Sequence, residues 1–279
     1  MAIYNGNKMA HEHLLNIANH CAQAALNAIQ ITGTVEIQTK ILTDEDILPI
    51  IEIFEEIAKT EAYFMWNFQV YKAAYDAGTP PVLLLIGADL TQSETNWNCG
   101  ACGFNSCLEF NKYARENKKL GACYVGPVCN WRTIDYGIAC DWACAAAHQY
   151  NIENRLQSSA GVVAYLLGHL ENCSAVLGLP LGPCKDYWYY SYPAMNFKWS
   201  YEDWKKSVLH SVPVRFTGFT GGGKTKIKTS DKWWEKNMYL KVEENLDYDA
   251  MVAASKGKTF ELIMKKRKEI EERKKLKKE

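Results

Sequence analysis

The sequence predicts a mixed α+β architecture, on three observations: helical stripes of apolar residues early in the chain, one segment of strict apolar–polar alternation, and one short run that is apolar throughout. Its 279 residues suffice for one large domain, or a domain with an extension, around a substantial core.

Taken in order, residues 8–29 place Leu14, Ile17, Ala18, Cys21, Ala25, Ala28 and Ile29 on one helical stripe, which makes Cys21 a core residue. Thr34 to Leu42 alternates Val35, Ile37, Thr39 and Ile41 against Glu36, Gln38 and Lys40, the pattern of a half-buried strand. Thr43 is expected to cap a second helix, with Asp46 three residues on and Ile47, Ile50, Ile51, Phe54 and Ile57 keeping the period to about Lys59. A third helix over 62–77 ends at Gly78-Thr-Pro-Pro81. Val82–Ile86 is too short for a buried helix and predicts a central strand covered on both faces. An alanine-rich helix over 132–150, a shorter helix over 160–168 and an apolar strand over 174–181 follow. Nine of the eighteen residues from Tyr187 to Trp204 are aromatic, so this stretch is expected to pack, as a cover or a dimer seam. Residues 259–279 read as a charged helix or frayed tail anchored by Phe260, Ile263 and Met264.

Acidic and basic residues balance at 32 each, so net charge gives no reason to expect nucleic acid as a partner. No apolar run approaches the roughly 20 residues of a membrane span. Ten cysteines could mean a disulfide scaffold, but the opening residues lack the apolar core of a signal peptide. The expectation is a cytoplasmic chain whose reduced thiols bind metal.

The chemistry follows the central strand directly, where α/β-type sheets tend to present ligands. Cys99, Cys102 and Cys107 form a C-x2-C-x4-C loop, Cys99-Gly-Ala-Cys-Gly-Phe-Asn-Ser-Cys107, and Cys129 follows Gly126-Pro127-Val128 after 21 intervening residues. Four thiolates supply one ligand per iron of a [4Fe–4S] cube, and Gly100 and Gly103 let the backbone turn tightly with its amides toward the sulfurs. Trp97, Phe104 and Trp131 would bury such a cluster. Structural zinc is the rival, although zinc knuckles usually pair two C-x2-C units and the second half here offers Cys123-x5-Cys129. Cys123 also competes with Cys129 as fourth ligand, and the rigid Gly126-Pro127 turn favours Cys129.

Three stretches carry a resemblance: Cys99 to Cys107, Gly126-Pro-Val-Cys129 running into Asp135-Tyr-Gly-Ile-Ala139, and Val176-Leu-Gly-Leu-Pro-Leu181. Over residues 8–192 the chain resembles the uncharacterised prokaryotic ferredoxin-domain proteins, which implies Cys99, Cys102, Cys107 and Cys129 as the cluster ligands. More distantly the layout is similar to the flavin-binding nitroreductase fold, which implies an α+β mixed sheet flanked by helices and an intertwined homodimer. That fold typically holds the FMN phosphate with arginines near the N-terminus, yet the first arginine here is Arg115, so FMN is disfavoured.

Other motifs have plainer readings. Tyr136, Cys140, Cys144 and His148 fall at steps of four on one helix face, which fits a buried stripe better than a second metal site or a reactive thiol pair. Gly218-Phe-Thr-Gly-Gly-Gly-Lys224-Thr225 matches a phosphate-loop pattern, but a poor helix start follows it, so a glycine turn is the default. His11, His13, His20, His169 and His210 have no recognisable ligand spacing.

The resulting expectation is a ferredoxin domain over 1–192 with its iron–sulfur loop at 95–131, and a C-terminal extension over 193–279 with a basic helical tail. Its function would be single-electron transfer to a redox partner protein, in an anaerobic setting. The alternatives are a cluster- and flavin-dependent oxidoreductase, and a zinc-stabilised interaction module.

Overall fold

The computed structural model of the chain describes residues 3–121, 123–182 and 246–276. The aromatic stretch after Tyr187, the glycine-rich segment 218–225 and His210 lie outside the described residues.

The first helical segment is two helices. Asn5 caps α1 (Gly6–Glu12) by accepting from the Lys8 amide at 3.1 Å, and the chain breaks at His13 before α2 (Leu14–Leu26). Nothing in α1 is buried, so the apolar stripe starts only at Leu14. Strand β1 is also shorter than the alternation predicts, running Gln38–Leu42. Upstream, the Gln30 side chain takes both backbone groups of Val35, at 2.8 and 2.9 Å, and so replaces a ladder partner there. Thr43 makes no side-chain cap, and a short 3-10 turn at Asp44–Asp46 leads into α3 (Leu48–Ile57), with Pro49 in the first turn, where its missing N–H costs nothing.

Helix α4 (Ala62–Asp76) packs on α3, and β2 (Val82–Ala88) then enters the middle of a three-stranded antiparallel sheet of order β1-β2-β5, with β5 at Ala175–Leu181. Both faces of β2 are covered, which is why it is apolar at every position. Leu84, Ile86 and Ala88 belong to one core with α2 and α6 (Asn130–Gln149), whereas Leu83 and Leu85 belong to a second with α3, α4 and α7 (Ser158–Leu166). Tyr136 of α6 is wholly buried in the first core and donates to Ile86 O at 2.8 Å. On the other side α7 meets β5 so closely that a Cβ on Gly161 would lie 1.9 Å from Val176 O.

The remaining elements among the described residues are α5 (Cys107–Glu116), a small ladder of β3 (Lys119–Leu120) with β4 (Val125–Gly126), and the helix α8 (Leu246–Leu276). Helix α8 lies against α3 and pushes Ile263 and Ile270 into the second core. Phe260 and Met264, expected as anchors, are exposed, because Ile270 at two turns from Ile263 continues the buried stripe. Ion pairs flank this seam: Lys266 with Glu52 at 2.5 Å, Arg273 with Asp46 at 3.3 Å, and Arg267 with Glu171.

These elements make a mixed α+β fold with helices on both faces of a small antiparallel sheet.

Candidate metal centre

Strand β2 delivers the chain to the cysteine loop through a set of local bonds. Thr91 donates to Asp89 Oδ1 from its amide at 3.0 Å and its hydroxyl at 2.7 Å, an Asx turn that bends the chain off the sheet. Burial opposes the Asp89 charge, yet those bonds and the Lys118 ammonium outweigh it and hold the carboxyl below its ordinary range. Leu90, wholly buried, donates to Ser174 Oγ at 2.7 Å and accepts from the Cys129 amide at 2.8 Å. One residue thereby ties the end of β2 to the approach of β5 and to the first turn of α6.

Arg132, 3% exposed, reinforces the same junction. Its guanidinium donates to Asp89 O at 2.9 and 3.2 Å and to Thr34 O at 3.0 Å, with Glu94 at 3.6 Å. Asp135, one turn on, accepts from the amides of Ile31 and Thr32 at 2.6 and 2.9 Å and from the Thr32 hydroxyl. Together they fix the segment after α2 against the head of α6.

The loop itself is shaped by residues that tolerate left-handed backbone. Asn96 and Asn98 have φ of 53° and 48°, Gly100 and Gly103 of 73° and 85°, and the Gly103 amide closes a turn on Gly100 O at 2.9 Å. Ser106 then caps α5 by accepting from the Glu109 amide at 3.1 Å, and Glu109 accepts in turn from the Asn105 amide at 3.2 Å, a variant of the capping box.

Cys99, Cys102, Cys107 and Cys129 all line one small cavity, together with Ser93, Thr95, Asn98, Phe104 and Trp131. Gly100 lines it too, whereas Gly103 and Trp97 stand outside the lining, Trp97 meeting Trp131 edge to face at 5.8 Å. Cys107 and Cys129 are buried, Cys102 half-buried and Cys99 exposed, and each is a free thiol. Cys107 is the first residue of α5 and Cys129 the N-cap of α6, so two helix N-termini flank the cavity and favour negative charge there. The Ser93 hydroxyl is the main group that lowers the Cys107 thiol pKa, against burial, with the Asn98 and Trp97 amides and the Thr95 hydroxyl assisting. The indole Nε1 of Trp131 is buried with no hydrogen-bond partner among the described residues.

This donor set fits an iron–sulfur cluster: four thiols around one cavity, hydroxyl and amide donors on one of them, two helix N-termini and an unclaimed N–H. Among the described residues no three His, Cys, Asp or Glu side chains converge closely enough to hold a single metal ion.

Cys123 is half-buried and does not line the cavity. Burial pushes the thiols of Cys140 and Cys144 up to about 12 and that of Cys21 to about 11, which favours their protonated form at neutral pH. His148 is exposed, His20 stacks on Tyr150 and His169 is buried, so none of the three lies at the cavity.

Sequence reasoning overlooks Ser93, Thr95 and Asn98 around Cys107, and the Arg132 clamp. The Ser106-Cys-Leu-Glu109 capping signature is the signal that could have located the start of α5 at Cys107.

A relative from Archaeoglobus fulgidus, itself an uncharacterized protein, is 39% identical over 99 residues, covering 36% of this chain and 50% of the relative. The chain thus spans about half the length of the curated relative it matches. No solved structure matches. Residues 125–190, a stretch that begins after the first three cysteines and contains Cys129, match the sequence model of a family described as an uncharacterized protein containing a ferredoxin domain, and the chain resembles that family as its motifs indicate.

Proposed function

We propose that this chain is an iron–sulfur electron-transfer protein in which Cys99, Cys102, Cys107 and Cys129 hold one [4Fe–4S] cluster. The observation that carries the reading is that four cysteines from two separate stretches line a single cavity. The family match over 125–190 supports the ferredoxin character. Such a cluster supplies reversible uptake of one electron.

The chain's own residues do the rest. Cys107 is prepared to bind as thiolate, since hydroxyls and amides already favour its charge. The N-termini of α5 and α6 stabilise added negative charge, Phe104 and Trp131 exclude water from the inner wall, and exposed Cys99 marks the side open to a partner. Four protein ligands leave no open iron, which favours passing electrons over activating a substrate. The partner is then a redox protein and the chain a homodimer, with 1–192 as the cluster-bearing unit and 193–279 as its extension.

Anaerobic purification with iron, sulfide, zinc and flavin quantified, followed by EPR of the dithionite-reduced protein, tests this reading. About four irons and four sulfides per chain with a reduced-cluster signal are expected. Zinc without iron or sulfide would end the redox account, and stoichiometric flavin would transfer it to the oxidoreductase alternative.

A further inference from the structure

Trp131 sits two residues after the N-cap cysteine of α6 and forms part of the cavity wall, packed beside Phe110, Ala114 and Cys129. An indole N–H is a donor with no acceptor capacity, and burial without a partner is costly for it. Trp131 Nε1 is in that position among the described residues. Two side-chain oxygens of the same lining serve other donors: Asn98 Oδ1 takes the Cys107 amide at 2.8 Å, and Ser106 Oγ takes the Glu109 amide at 3.1 Å. The acceptors that a loaded cavity would add are sulfurs, either inorganic sulfide or cysteine thiolate.

We infer that Trp131 donates its Nε1–H to a sulfur of the bound cluster and so sets the cluster's reduction potential. The inference rests on the cluster reading above and goes beyond it by assigning one side chain a tuning role. A hydrogen bond to sulfur withdraws negative charge, and it strengthens when the added electron makes the sulfurs more basic. It therefore stabilises the reduced form more than the oxidised one and raises the potential. Trp131 is a positioning and tuning residue in this account and ligates nothing.

The experiment uses the full chain, loaded with cluster under anaerobic conditions, and compares Trp131→Phe with the wild type by EPR-monitored redox titration. Trp142→Phe, three turns further along α6, is the control for loss of an indole on the same helix. Wild-type cluster content with a potential shifted downward in Trp131→Phe, and no shift in Trp142→Phe, is the expected result. An unshifted potential in Trp131→Phe, or an equal shift in both variants, overturns the inference. A second measurement stands apart from variant folding: pulsed ENDOR on reduced wild-type protein carrying ¹⁵N-labelled indole should give a hyperfine coupling to one tryptophan nitrogen. If Trp131→Phe takes up no cluster, that coupling decides, and its absence from loaded wild-type protein rejects the hydrogen bond. A wild-type chain that binds no iron or sulfide at all sinks the cluster reading instead, an outcome distinct from a loaded protein with no coupling.

Discussion

Asn111, in the second turn of α5, is hydrogen-bonded to both backbone groups of Ser93, accepting from its amide at 2.7 Å and donating to its carbonyl at 2.8 Å. The pair joins the entry of the cysteine loop to the helix that begins with Cys107, so the loop and α5 are held as one unit. Asn111→Ala removes both bonds, leaves a half-buried amide unpaired and should destabilise the protein by about 1–3 kcal/mol. Thermal melts measure that loss, and faster iron release to a chelator should accompany it.

The two candidates for the fourth thiolate are separable. Cys129 lines the cavity and Cys123 does not. Cys129→Ser should lose or convert the cluster, while Cys123→Ser should keep the full iron and sulfide content. Iron analysis and EPR of both variants check this, and the opposite pattern would hand the role to Cys123.

His169 gives the fold an acid-sensitive point. Burial, then the positive charges of Lys40, Lys274 and Arg273, depress its pKa to about 3, and both ring nitrogens lack partners among the described residues. Asp46 and Glu171 pair with Arg273 and Arg267 at the same seam. The unfolded chain protonates this histidine below its ordinary value near 6.5, and the native chain does so only near 3. Its native advantage is thus complete above pH 6.5 and is lost as pH falls through that window, by on the order of 5 kcal/mol at the acid end. Urea melts at pH 7.5 and 4.5 should show a smaller drop for His169→Gln than for the wild type.

Gly161→Ala should be severely destabilising, by about 3 kcal/mol or more, because a methyl group there would collide with the Val176 carbonyl of β5. Denaturant titration of the variant reads the effect. Gly137, whose Cβ would meet nothing within 4 Å, is the tolerant comparison on α6.

The docking of α8 should depend on its apolar contacts more than on its charges. Ile270→Ala opens a cavity in the second core and should destabilise by about 2–4 kcal/mol. Arg273→Ala removes a partly exposed ion pair worth about 1 kcal/mol or less. Hydrogen exchange across residues 246–276 distinguishes the two.

The sequence discloses what depends on local periodicity. Val82–Ile86 is a covered central strand because an apolar residue is needed on both faces, and Cys21 is core because its helical stripe is unbroken. The cysteine spacing likewise brings Cys99, Cys102, Cys107 and Cys129 to a common cavity. What escapes is set by contacts distant in sequence. The alternation at 34–37 reads as strand, but Gln30 and Arg132 take its backbone groups instead. The hydroxyls of Ser93 and Thr95 look like ordinary loop residues until the fold returns Cys107 to them. Similarly, the anchoring role of Ile270 emerges only where α8 meets α3.

The exposure of the cavity's thiols is graded, from buried Cys107 and Cys129 through Cys102 to open Cys99. Such a gradient gives any occupant a front and a back. Oxygen, chelators and electron donors would all arrive at the Cys99 corner, so the path of useful traffic is also the path of damage. In the proposed [4Fe–4S] cluster the iron held there would be the first to leave, and a three-iron remnant would be the expected signature of ageing in air.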